Sequence, residues 1–125
     1  MKRILVIDDD EKIRIVFERF LKGQGYAVVC AKDGKEGLQL LEDEPLDLVI
    51  TDIMMPDTDG LEVILSMREK HPEIPVIAIS GGMTLAPLDF LPVVEKFGAI
   101  KVFYKPVELD DLLEGVRELI GGGKG

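Results

Sequence analysis

The sequence predicts an α/β protein in which helices cover both faces of a parallel sheet. Two observations lead there. Strand-sized apolar runs alternate five times with stretches of helical periodicity, the order expected of βα units wound right-handedly. Four of those runs end in a polar residue: Asp8-Asp9, Asp52, Ser80, and Lys105 followed by Pro106. Ligands bind outside the carboxyl ends of the strands in open parallel sheets, so these residues are expected to converge on one acidic pocket.

The elements follow in chain order. Arg3–Ile7 reads as a continuous buried strand, apolar after its first residue. Asp10 then stands where a helix N-cap belongs, and Ile13, Val16, Phe17, Phe20 and Leu21 fall on one helical face that ends near Gly23-Gln24-Gly25. Ala27–Ala31 is a shorter strand, and Leu38, Leu40 and Leu41 mark a short helix after Asp33-Gly34. A strand over 46–51 leads to Asp52. A helix carrying Leu61, Ile64 and Leu65 follows Asp59-Gly60 and stops at His71-Pro72. Val76–Ser80 reads as the fourth strand and 102–104 as a brief fifth. The last helix is the most amphipathic, with Leu109, Leu112, Leu113, Val116, Leu119 and Ile120 on one face.

At 125 residues the chain is one domain with room for a real core, and its 46% hydrophobic and 31% charged content is that of a soluble globular protein. We read residues 1–120 as the domain and 121–125, Gly-Gly-Gly-Lys-Gly, as a flexible tail or the start of a linker. The apolar runs are far short of a membrane span, and Met1-Lys2-Arg3 leads into too few apolar residues for a secretory signal. The lone Cys30 excludes an internal disulfide and is read as a small core residue. These features place the protein in the cytoplasm. A net charge of -9 without a Lys/Arg stripe argues against nucleic-acid binding.

Adjacent carboxylates at a strand end repel one another unless a cation lies between them. Helix capping needs one acid, and here three stand in a row. Capping therefore falls to Asp10, and metal binding to Asp8 and Asp9, with Mg²⁺ favoured because it takes one or two carboxylates and keeps other positions for water and phosphate oxygens. Asp52 alone could be a turn aspartate bonded to backbone amides, or a nucleophile that attacks phosphorus. Ser80 alone is turn chemistry before Gly81-Gly82, and Lys105 alone is a surface lysine. Together they supply a hydroxyl and a point charge for a dianionic group.

The segments ILVIDDDEKIR, LDLVITDIMMPDTDG, VIAISG and YKPVE, in this order and spacing, resemble the receiver domain of bacterial two-component response regulators over essentially the whole chain. The resemblance implies a flavodoxin-like (βα)5 fold with strand order 2-1-3-4-5. It makes Asp52 the phosphoacceptor for a phosphoryl group from a sensor histidine kinase or phosphotransfer protein. Asp8, Asp9, Asp52 and the Met54 backbone carbonyl become ligands of Mg²⁺, with Mn²⁺ as a substitute. Ser80 becomes the switch hydroxyl and Lys105 the lysine that meets the phosphoryl group, before a cis Lys105-Pro106 bond. Such a domain is a phosphoacceptor rather than a conventional enzyme. Met54 and Gly82 offer no side chain to activate water, which implies slow autodephosphorylation. Its output is a changed surface, presented to an effector domain or protein or to a second copy as a phosphorylation-dependent homodimer, with no membrane contact.

Two departures from the family pattern stand out. The aromatic residue usual three positions before the lysine is Val102 here, and strand parity puts Tyr104 on the same face one pleat further along. Ser80 and Lys105 are also 25 positions apart, longer than the family pattern, and Pro92 would break a helix over 87–97. These changes leave a degenerate, phosphorylation-independent interaction module as the alternative reading. A haloacid-dehalogenase-type enzyme needs an aspartate at position 54, and a flavin protein needs a phosphate cradle where the acids stand. The calcium-loop echo at Asp57, Asp59 and Gly60 fails because Met55 and Ser66 fill its first and twelfth positions. His71 is read as structural at a helix end, and Phe17, Phe20 and Phe97 as core.

Overall fold

In the computed structural model, which describes residues 1–53, 60–80 and 101–122, the apolar runs become strands of one parallel sheet. The strands are β1 (Arg3–Ile7), β2 (Ala27–Ala31), β3 (Leu48–Asp52), β4 (Val76–Ser80) and β5 (Lys101–Tyr104), in the order β2-β1-β3-β4-β5. The described helices are α1 (Glu11–Gly23), α2 (Gly34–Asp43), α3 (Gly60–Lys70) and α4 (Leu109–Ile120). The expected strand order is thus observed. The helix considered over 87–97 and Phe97 lie outside the described residues.

Alternation along each strand divides the interior into two layers. Leu5, Ile7, Val49 and Ala78 face α2 and α3, meeting Leu41, Val63, Ile64 and Met67. Ile4, Val6, Ile50, Ile77 and Ile79 face the other way, onto Phe17 and Leu21 of α1 and Leu112 and Val116 of α4. Every residue of β3 and β4 is buried, which explains their apolar composition, broken only by Thr51 and the polar last residues Asp52 and Ser80. Cys30 is a free, half-buried thiol packed against the α1/α4 layer, and burial pushes it up to about 11.

Local signals set the helix ends. The Asp10 carboxylate accepts from the Lys12 amide at 2.9 Å and caps α1 as expected. Asp33 caps α2 by accepting from Glu36 N at 2.8 Å, and Glu36 reaches back to accept from Lys32 N. Gly25 has φ 95°, a left-handed conformation that lets the chain leave α1 and enter β2 with Tyr26 N bonded to Leu21 O. Gly37 lets α2 lie close on β1, since a Cβ there would overlap the Ile7 side chain. His71 follows α3 and donates its amide to Met67 O at 2.6 Å, the structural place expected of it.

Some boundaries differ from the sequence expectation: β3 runs to Asp52 rather than 51, and β5 starts at Lys101 rather than 102. β3 starts at Leu48 rather than residue 46, because Asp47 is fastened to Arg3: its amide donates to Arg3 O and its carboxylate accepts from Arg3 N, both at 2.8 Å. Leu46 is buried without being part of the strand. Just past α4, the hydroxyl of buried Tyr26 donates to the Gly121 carbonyl at 2.8 Å. Among the described residues no helix is long and apolar enough to cross a membrane.

Candidate functional site

The strand order reverses direction of growth between β1 and β3, and the crevice at a switch point of this kind lies at the carboxyl ends of those two strands. Asp8 follows β1 and Asp52 ends β3, so topology alone brings the two acids to the same crevice. Asp8 and Asp52 are buried, 2% and 3% exposed, while Asp9 beside them is exposed. Carboxylate oxygens of Asp8, Asp9 and Asp52 lie within 4.8 Å of one another.

Lys105 enters from the far end of β5. Its Nζ lies 3.2 Å from Asp52 Oδ2 and 3.5 Å from Asp8 Oδ2, bridging the two buried acids. The backbone amide of Lys105 donates to Ser80 O at 2.9 Å, which ties the lysine to the end of β4. The Lys105-Pro106 peptide is cis, as the resemblance implied. Ser80, 7% exposed, ends β4 at the same edge of the sheet. The structure thus brings Asp8, Asp9, Asp52 and Lys105 together, with Ser80 at the neighbouring strand end. Met54, whose carbonyl was expected as a further ligand, lies outside the described residues.

The electrostatics are those of an acid cluster short of positive charge. Burial pushes Asp8 up from 3.8 to about 6; Asp52 and Asp9 push the same way, while the Asp10 amide and Lys105 oppose them. For Lys105, burial acts to lower the ammonium, but Asp52 and Asp8 outweigh it and the net direction is upward. The site thus holds one ammonium against three carboxylates. All the donor atoms are hard oxygens, one acid is mouth-exposed, and the excess negative charge favours a second cation. That donor set fits a magnesium-type ion.

Some contributors are not legible in the sequence. Arg14, on α1, donates from Nη1 to the Asp8 carbonyl at 2.7 Å. Fully buried Thr51 donates from Oγ1 to the Asp52 carbonyl at 3.1 Å. Both serve main-chain acceptors, so residue spacing carries no signal for them. At the position of the missing aromatic, Val102 packs into the α2/α3 layer. Tyr104 pairs in register with Ser80 across β4 and β5 and is 40% exposed. An aromatic side chain thus stands beside the serine rather than one pleat behind it.

Comparison with known proteins agrees with this geometry. The family description "Response regulator receiver domain" matches residues 4–117. Response regulator MprA of Mycolicibacterium vanbaalenii is 34% identical, over 94% of this chain and 50% of its own length. The chain therefore spans about half the length of such curated relatives. A CheY-like receiver domain protein of Methanospirillum hungatei superposes with a TM-score of 0.86 at 34% identity, covering 94% of this chain and 92% of that one. The response regulator TrrA of Thermotoga maritima, solved in complex with Mg²⁺-BeF, gives a TM-score of 0.84 at 33% identity over 95% and 99% of the two chains. Sequence, fold and pocket agree: this chain belongs to the response regulator receiver domain family.

Proposed function

We propose that Asp52 accepts a phosphoryl group from a phosphohistidine of a partner kinase or phosphotransfer protein, and that the reaction depends on a divalent cation. The observation that carries this reading is the convergence of Asp8, Asp9 and Asp52 within 4.8 Å, with Lys105 set across the two buried acids. Asp8, Asp9 and Asp52 would hold the ion, Mg²⁺ or Mn²⁺ in its place, joined by the Met54 carbonyl. When bound, the ion offsets repulsion between the pocket and an incoming phosphoryl group.

The chain's own residues do the rest. A deprotonated Asp52 oxygen attacks phosphorus as the P–N bond to the donor imidazole breaks, and the electron pair of that bond stays on the imidazole. Lys105 is already within ion-pair distance of Asp52 and remains to neutralise a phosphoryl oxygen. Ser80 supplies a hydroxyl to another. These contacts exist only in the phosphorylated state, so they shift the population toward a second conformation that an effector can read. Hydrolysis of the aspartyl phosphate is slow, because Met54 and Gly82 carry no group that activates water. On this reading residues 1–120 form the receiver unit, 121–125 are a tail or the start of a linker, and the protein works in the cytoplasm.

Intact mass after incubation with acetyl phosphate tests the proposal. One phosphoryl adduct is expected with Mg²⁺, and none with chelator or in Asp52→Asn. An adduct that persists in Asp52→Asn would move the acceptor elsewhere. No adduct, together with no Mg²⁺-dependent binding of beryllofluoride, would overturn the reading.

A further inference from the structure

We propose that Arg14 is a positioning residue for the acidic pair, holding Asp8 and Asp9 at the angle from which they grip a divalent cation. The inference rests on the metal-dependent function proposed above. Its basis is how the turn after β1 is fastened. The Asp8 amide donates to Ala31 O at 3.1 Å, and the Asp8 carboxylate Oδ1 accepts from the Asp10 amide at 2.8 Å. The Asp8 main-chain carbonyl takes the Arg14 guanidinium at 2.7 Å. That carbonyl shares a planar peptide with the Asp9 amide. Fixing the carbonyl therefore fixes the direction in which Asp9 leaves, and so where its exposed carboxylate stands relative to buried Asp8 and Asp52.

Arg14 has no other use among the described residues. It is half-buried, forms no salt bridge there, and its guanidinium makes this one hydrogen bond. A cation set near an acidic pocket with no carboxylate partner is electrostatically unfavourable to a second cation. Its hydrogen bond to the Asp8 main chain instead gives it a geometric role. Outer contacts that orient metal ligands are commonly worth on the order of tenfold in affinity.

The sign of the effect separates geometry from charge. Mn²⁺ binding would be measured by the electron paramagnetic resonance of free Mn²⁺ for the wild type, Arg14→Met, Arg14→Gln and Arg14→Lys, with melting temperatures recorded in parallel. A positioning role weakens Mn²⁺ binding about tenfold in Arg14→Met, shifts the amide resonances of Asp9 and Asp10, and is partly rescued in Arg14→Lys. If Arg14 acted only through its charge, Arg14→Met would bind Mn²⁺ more tightly. Unchanged or tighter binding overturns the proposal. Should Arg14→Met fail to fold, Arg14→Gln, whose shorter stem withdraws the donor, is read by the same criterion. Absence of Mn²⁺ binding by the wild type would instead overturn the metal site itself.

Discussion

Without metal, Asp8 should make the folded protein less stable as pH rises, and Asp8→Asn should abolish most of that loss. Folding raises Asp8 from 3.8 to about 6. Between those values the native state binds a proton that the unfolded chain has released, so stability falls with rising pH across that window. It is fully present below pH 3.8 and gone above about 6. The gap between the two values corresponds to about 3 kcal/mol. Solvent reaching the pocket mouth at Asp9 screens the charges, which brings the expected effect to roughly 1–2 kcal/mol. Urea unfolding in EDTA at pH 4.5 and pH 7 gives the stability difference for each protein. Subtracting Asp8→Asn from the wild type removes the titrations the two share. The wild type should lose about 1–2 kcal/mol more than the variant over this interval. Saturating Mg²⁺ at pH 7 should restore the loss in the wild type only. An equal pH dependence in both proteins, or a variant less stable than the wild type at pH 7, would refute the argument.

Three further outcomes are expected. Lys105→Met removes the ammonium shared by Asp8 and Asp52; it should cost about 1 kcal/mol without metal, and Mg²⁺ should recover most of this in urea titrations. Phe17→Ala opens a cavity between α1 and the sheet where Phe17 is 4% exposed; it should cost about 3–5 kcal/mol while Mg²⁺ affinity at low temperature stays unchanged. Tyr26→Phe deletes the hydrogen bond to Gly121; it should lower stability by about 1 kcal/mol and speed hydrogen exchange at the end of α4, leaving phosphorylation by acetyl phosphate intact.

Much of this molecule could be read in advance because its main signals are local. The buried part of a strand must be apolar, so residues 4–7 and 76–79 announce themselves, and the polar residue that follows each run marks the sheet edge. Asp10 was legible as a cap because one carboxylate suffices for that task. The start of β3 was not, because it is decided by a long-range exchange of hydrogen bonds between Arg3 and Asp47. Convergence of Asp8, Asp52 and Lys105 follows from strand order, which alternation of elements narrows and family resemblance specifies. Arg14 and Thr51 escaped notice for a different reason. Each bonds a main-chain carbonyl, and only the folded turn decides which carbonyl lies within reach.

The bond from Tyr26 to Gly121 has a practical side. Gly122 lies against Lys2 and Tyr26, and the Ala27 amide donates to Lys2 O, so this corner belongs to the amino ends of the strands. The acids stand at the carboxyl ends, a five-residue strand away, about 17 Å along β1. A fluorophore or affinity handle joined beyond Gly122 would therefore start from the rear of the molecule, leaving the crevice open to a kinase, and an immobilised receiver would present its reactive edge outward.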